Sequence, residues 1–129
     1  MTICFSPYVH DPVHDIWMVP RAAGDDPDTF ALPVSNANGI DLLCALGLAP
    51  EPDGGPIPID AFAGLVTAAA RRHLDHRSPE RATVEDFREG RLTMVRVGRS
   101  EGYIERRLAD LMILIQRGRA AGATHFGWG

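Results

Sequence analysis

The sequence predicts a small α+β protein in which about three helices pack on one face of a small, mainly antiparallel sheet. Short segments rich in aromatic and β-branched residues come first, apolar residues then recur with helical spacing at three places, and a strand-like segment closes the chain. With 129 residues and 45% hydrophobic content, the chain has the size and apolar content of a single globular domain, residues 1–129.

The first third of the chain predicts strands. Residues 2–5, 15–19 and 29–34 combine aromatic or branched side chains with flanking Pro, Gly or Asp. Between the last two of these segments, the sequence GDDPD at residues 24–28 predicts an exposed loop. If the first two strands pair as a hairpin, the segment HDPVHD at residues 10–15 is the connection between them.

The first predicted helix follows directly on these strands. Apolar residues recur every three or four positions after Asn38, which is a good N-cap, while Ser35 and Asn36 are competing caps. Gly47 suits the left-handed position that ends a helix. We therefore expect a helix of about ten residues.

Two longer helices follow. The second starts with Asp60 as its cap and runs to about His76. The third, residues 102–121, follows Ser100 as its cap and ends at Gly122. Its apolar stripe makes it the main helical contribution to the predicted core.

The connecting segments differ in their composition. Residues 49–58 contain four prolines and two glycines, so we expect an irregular loop there. Residues 84–89, VEDFRE, predict a short helical turn that Gly90 stops. Residues 91–97 alternate as a strand does, and residues 124–129, THFGWG, predict a last short strand that docks on the body of the protein.

Charge is distributed unevenly along the chain. All 13 basic residues are arginine, a bacterial-like composition that either genome bias or a need for forked donors would produce. Residues 1–60 hold one arginine and nine acidic residues, whereas residues 61–129 hold twelve arginines and eight acidic residues. The opposite net charges of the two halves therefore favour contact between an acidic and a basic surface, within the fold or between subunits. The net charge of −4 makes nucleic acid an unlikely partner.

The sequence also limits the compartment. The longest apolar run, residues 111–115, is far shorter than the roughly 20 residues of a membrane-spanning helix, so no membrane association is expected. The first residues lack the basic and apolar regions of a secretory signal. Cys4 and Cys44 have no metal-binding spacing and are expected to be reduced. These features predict a cytoplasmic protein.

One local cluster suggests chemistry, the repeat of His10, Asp11, His14 and Asp15. Two imidazoles and two carboxylates suit zinc, iron or manganese. Pro12 between the histidines excludes a helix interior, and an extended strand would hold them about 13 Å apart, so only a tight loop brings them together. Two interpretations stay open: a metal-dependent, hydrolase-like site, or a solvated turn in which the aspartates bind backbone amides.

Two further histidines lie three residues apart near the end of the second predicted helix. His73 and His76 would add metal ligands if the N-terminal loop folded over this helix. His73 falls on the apolar stripe, which favours a half-buried structural histidine instead.

The strand-to-helix turn at Ser35, Asn36 and Asn38 is a second candidate site. Polar side chains beside the free amides of a helix N-terminus have the geometry that binds small anions. The same residues are also the usual helix caps, so capping and ligand binding are both open.

The sequence contains no motif that identifies a reaction. The leading functional prediction is a small non-enzymatic domain that acts through protein–protein contact or self-association, for example as a homodimer. A long apolar helix and two oppositely charged halves favour it. The alternatives are the metal-dependent enzyme at residues 10–15 and the anionic-ligand binder at the strand-to-helix turn. No cofactor is expected, apart from a divalent metal in the first alternative.

Overall fold

The structure is a computed structural model that describes residues 2–21, 27–74, 77–96 and 98–129. This part of the chain contains seven strands and three α-helices, in agreement with the predicted α+β class. Their bounds are β1 (Thr2–Asp11), β2 (Ile16–Met18), β3 (Leu32–Ser35), α1 (Asn36–Ala45), β4 (Gly54–Pro58), α2 (Ile59–Arg72), β5 (Val84–Arg88), β6 (Arg91–Arg96), α3 (Tyr103–Ala120) and β7 (His125–Trp128), with a 3-10 helix at Pro27–Phe30.

The main sheet is built around the long strand β1. Its strand order is β2-β1-β7-β4, with β3 also paired to β1, and every pairing is antiparallel. The start of β1 pairs with β3, its middle with β7 and its end with β2. The predicted closing strand is confirmed as β7, which lies between β1 and β4. Strands β5 and β6 form a separate two-stranded sheet.

One core joins the three helices to the main sheet, as predicted. Phe5 from β1 and Phe126 from β7 are fully buried, and so is Phe62 from α2. The rings of Phe62 and Phe126 are stacked, with centroids 4.2 Å apart and planes 11° from parallel. The predicted stripe of α3 enters the same cluster, for example with Leu108 and Leu111. Within the described residues, no helix combines the length and apolarity that crossing a membrane requires.

Residues 49–58 are not entirely a loop, contrary to the prediction, because Gly54–Pro58 forms strand β4. Proline cannot donate a ladder hydrogen bond, so it is tolerated mainly at sheet edges. Strand β4 lies at the end of the strand order and pairs only with β7 among the described strands. A register shift between Gly54 and Ile57 further relaxes the ladder there.

The helical turn predicted at residues 84–89 is also wrong, because Val84–Arg88 is strand β5 paired with β6. The two strands are joined at Glu89 and Gly90, which have φ values of 53° and 74°. Positive φ at both central residues is the requirement of the tight turns that favour β-hairpins. The pairing partner that follows in the chain therefore overrides the local helix-start pattern.

The helix caps differ in detail from the predicted ones. Ser35, one of the competing caps, is the N-cap of α1, and its Oγ accepts a hydrogen bond from the Asn38 amide at 3.4 Å. The prediction of Asn38 as the cap is therefore wrong. Helix α2 begins after Pro58, so Asp60 lies in the first turn and is not the cap.

Helix α3 begins at Tyr103, and its N-terminus is bound by a residue distant in sequence. Ser78 Oγ accepts a hydrogen bond from the Ile104 amide at 3.2 Å, so Ser100 is not the capping side chain. The second predicted helix was expected to reach His76, which lies outside the described residues, as do residues 24–26 of the predicted loop.

Candidate functional site

The His-Asp repeat lies at the tip of a hairpin, as the sequence analysis anticipated. Strand β1 continues to Asp11, so His10 and Asp11 belong to the strand and the turn comprises residues 12–15. Strand β2 then pairs back on β1, with Trp17 opposite His10. The hairpin brings each histidine of the repeat next to one of its aspartates.

Within this turn the four side chains form two separate pairs. His10 Nε2 lies 2.8 Å from Asp15 Oδ1, and His14 Nδ1 lies 2.7 Å from Asp11 Oδ2. Asp11 Oδ1 also accepts a hydrogen bond from the Val13 amide at 2.9 Å. The hydrogen bonds from the His14 side chain and the Val13 amide lower the pKa of Asp11. The turn is therefore stabilised by its own carboxylates, as an Asx turn is.

This geometry bears on the metal hypothesis. Within the described residues, no group of three or more His, Cys, Asp or Glu side chains has the arrangement of a metal site. Each histidine instead contacts one aspartate. His73 lies at the C-terminal end of α2, half-buried, and its Nδ1 lies 3.2 Å from Glu105 Oε1. Metal binding at His10, Asp11, His14 and Asp15 stays a prediction.

The hairpin also carries an exposed apolar surface, which we call the hairpin edge and define as residues 16–19. Its side chains, Ile16, Trp17, Met18 and Val19, are between 39% and 48% exposed. The Trp17 ring contacts the rings of His10 and His125, with ring centroids 5.0 Å and 4.5 Å away. Strand β2 ends the strand order, so its outer edge has no partner strand in the described part of the chain.

The strand-to-helix turn has a mainly structural geometry. Ser35 caps α1, and Asn38 is buried with its Oδ1 atom lacking a hydrogen-bond partner in the described structure. Asn36 is the first residue of the helix. The cap uses the Asn38 amide, one of the donors that an anion would need. Ligand binding at this turn stays a prediction.

A concave region lies where the ends of α1 and α2 approach the start of α3, and we call it the arginine cavity. It has a volume of about 560 Å³. Four arginines line it: Arg72, Arg77, Arg81 and Arg99. The Arg81 and Arg99 guanidiniums each donate from Nη1 to Asp41 Oδ2 at 2.8 Å. Asp41 on α1 thereby holds two segments that are far apart in sequence.

A hydrogen-bond network of Ser78, Glu105 and His73 borders this cavity. Glu105 Oε1 accepts from the Ser78 amide at 2.6 Å, and Glu105 Oε2 accepts from Ser78 Oγ at 2.7 Å. Burial raises the pKa of Glu105, but the hydrogen bonds from Ser78, from the Glu105 amide and from His73 outweigh it and lower the pKa to about 2. The carboxylate thus lies between serine and histidine.

This order of contacts differs from that of a hydrolase triad. In a triad, the histidine contacts the serine hydroxyl and removes its proton. Here the Ser78 hydroxyl donates to Glu105 and accepts from the Ile104 amide, and Ser78 is buried. The network therefore anchors the start of α3 and does not activate a nucleophile.

The chain matches no family model, no curated protein and no solved structure. Function is therefore inferred from the side chains themselves, since a fold alone does not specify function.

Sequence reasoning missed both the exposure of the hairpin edge and the arginine cavity. The segment 15–19 was identified as a strand, but its composition does not show which strands a helix will cover. The four cavity arginines are spread over residues 72–99 and follow no motif. The only signal was the excess of arginine in the second half of the chain.

Proposed function

We propose that this protein is a non-enzymatic association domain that forms a homodimer through the hairpin edge. The observation that carries the proposal is the exposure of four consecutive apolar side chains, residues 16–19, of which the first three form the strand at the end of the sheet. An exposed apolar strand edge presents free backbone donors and acceptors together with side chains that gain from burial. Such an edge is a template for an additional strand.

A second copy of the same chain fits this edge by symmetry. Two β2 strands related by a two-fold axis at Trp17 would run antiparallel and place Ile16 of one copy opposite Met18 of the other. In that arrangement the two hairpin turns lie at opposite ends of the pair. The carboxylates of Asp11 and Asp15 in one copy would therefore not face those of the other copy.

The size of the edge predicts the strength of the dimer. Strand β2 has three residues, so pairing two copies buries less surface than the about 1,600 Å² of a standard interface. We therefore expect a weak dimer whose population rises with protein concentration. The measurement must therefore cover a range of protein concentrations, because a single dilute sample would show only monomer.

Sedimentation equilibrium over a broad concentration series tests the proposal. Met18→Lys places a charge on the edge, and we expect it to weaken dimerisation by about tenfold or more, since an unpaired charge is costly to bury at an interface. Ile113→Lys is the matched control, because Ile113 lies on α3 and is 47% exposed. Circular dichroism checks that both variants fold.

Two results would contradict the proposal. A wild-type protein that stays monomeric at the highest concentrations has no homodimer to explain. A dimer that Ile113→Lys weakens as much as Met18→Lys does is formed by another surface.

A further inference from the structure

We propose that the arginine cavity is a binding site for a small phosphate monoester. The proposal is independent of the hairpin edge and concerns a different part of the molecule. The cavity volume of about 560 Å³ falls within the range of about 300–1,000 Å³ that is typical of small-molecule sites. Its arginines come from the end of α2 and from the segments before and after the β5–β6 hairpin, and these two segments pair with each other through the backbones of Arg81 and Arg99.

Three of these guanidiniums are held in place, and the contacts that the described residues give them use only some of their donors. Arg81 and Arg99 each contact Asp41 through one terminal nitrogen, and Arg72 Nη2 donates to the Ala45 carbonyl at 2.7 Å. Each guanidinium has five N–H donors in a rigid planar fork. A single contact of this kind orients the guanidinium and leaves other N–H donors of the same group for a ligand, which lowers the entropic cost of binding.

Arg99 points most directly to a ligand. Its side chain is only 7% exposed, and its Nε has no hydrogen-bond partner in the described part of the chain. Buried donors without a partner are rare in native proteins, because the group loses its water and gains nothing in return. Arg99 also lines the cavity, so an anion bound there would lie beside this buried cation.

The charge balance specifies an anion. Four guanidiniums line the cavity, and Asp41 is the acidic residue among its lining residues. The neighbouring Glu105 carboxylate already accepts hydrogen bonds from Ser78 and contacts His73. Positive charge therefore exceeds negative charge even when Glu105 is counted. The Ile104 amide at the start of α3 already donates to Ser78, so the arginines are the donors that we expect to bind the anion.

Phosphate suits this arrangement better than a carboxylate does. Arginine forks bind both groups, but a phosphate monoester presents three charged oxygens in three dimensions and a carboxylate presents two in one plane. Several guanidinium forks together carry enough N–H donors for three such oxygens. Phosphate alone would leave much of the volume empty, and apolar groups of Pro79 and Ile104 line the remainder. We therefore expect an organic group esterified to the phosphate.

Isothermal titration calorimetry at constant ionic strength tests the site with glycerol 3-phosphate, inorganic phosphate and succinate as probes. We expect glycerol 3-phosphate to bind most tightly. Arg99→Gln should weaken its binding by about ten- to hundredfold, the value of a charge-assisted hydrogen bond in a buried site. Arg77→Gln, on the exposed rim, should weaken it less and in the same direction. Arg91→Gln on β6 removes the same charge away from the cavity and should leave binding unchanged.

The variants separate the site from general charge effects and from unfolding. If Arg99→Gln fails to fold, Arg77→Gln still decides, because within the described residues Arg77 forms no ion pair. The proposal is overturned if the wild type binds no glycerol 3-phosphate at millimolar concentration, or if Arg91→Gln weakens binding as much as the cavity variants do. Tighter binding of succinate than of glycerol 3-phosphate would overturn the assignment to phosphate.

Discussion

The hairpin edge and the arginine cavity distribute polar and apolar groups in opposite ways. At the hairpin edge, apolar side chains are exposed, and the charged groups of the adjacent turn pair with each other within six residues. In the arginine cavity, a guanidinium that is only 7% exposed is held by Asp41, which lies 58 residues away in sequence. Because an ion pair is worth little when it is exposed and costs more to break when one partner is buried, we expect the contacts of Asp41 to contribute more to folding than those of the turn.

The largest expected effect is the difference between two aspartate substitutions. Asp41→Ala leaves the buried Arg99 without its carboxylate, and we expect it to lower the free energy of unfolding by about 2 kcal/mol or more. Asp15→Ala removes a carboxylate that is 93% exposed, and we expect a change below about 0.5 kcal/mol. Urea unfolding of both variants measures the difference. Equal losses in the free energy of unfolding would show that the burial of an ion pair does not decide how much it stabilises this protein.

The next effect concerns the anchor of α3. Glu105→Gln removes the negative charge that accepts the Ser78 hydrogen bonds, and we expect a loss of about 1–2 kcal/mol in the free energy of unfolding. Asp11→Asn is the control at the hairpin turn, where the carboxylate also has a lowered pKa but is bonded only within the turn. A larger loss of stability for Asp11→Asn than for Glu105→Gln would contradict the expectation that the anchor of α3 contributes more to stability than the hairpin turn does.

The Glu105 carboxylate also gives the stability of the wild type a pH dependence of known sign. The pKa of Glu105 is about 2 in the folded protein and 4.5 in its ordinary environment. Its stabilising contribution is therefore complete above about pH 4.5 and is lost as the pH falls towards 2. We expect wild-type stability to fall more steeply over this window than that of Glu105→Gln. Parallel acid titrations of the two proteins, followed by circular dichroism, would contradict this assignment.

A smaller effect on stability is expected at the hairpin edge. Trp17→Ala removes the ring that contacts His10 and His125, and we expect it to cost about 1 kcal/mol or less because the side chain is already 40% exposed. Urea unfolding at low protein concentration measures this change without any contribution from dimerisation. A loss as large as that of Asp41→Ala would mean that the hairpin is part of the core and not an available edge.

The smallest effect is expected from metal. A divalent cation at the turn must displace the contacts of His10 with Asp15 and of His14 with Asp11, so we expect zinc to raise the thermal midpoint by only about 1 °C or less. Metal analysis of the wild type and of a His10→Ala, His14→Ala double variant checks this. Stoichiometric zinc that the double variant loses would establish the metal site and contradict this expectation.

Most elements of the fold could be predicted because their signals are local. The spacing of apolar residues identified α1, α2 and α3, and the aromatic segments identified β1, β2 and β7. Two strands were missed where pairing overrides local preference, β4 with its prolines and β5 with its helix-like start, and the strand predicted from residue 29 begins only at Leu32, after the 3-10 helix. For both missed strands the deciding hydrogen bonds come from another strand.

The sequence by itself determined the α+β class, the helical segments and the position of the His-Asp repeat in a hairpin, since periodicity and turn chemistry act over a few neighbouring residues. Only the tertiary structure decided that the hairpin edge stays uncovered, that Ser78 binds the start of α3, and that Asp41 meets Arg81 and Arg99. These contacts join residues 26 to 58 positions apart. Such contacts depend on how the helices pack, and no spacing in the sequence encodes them.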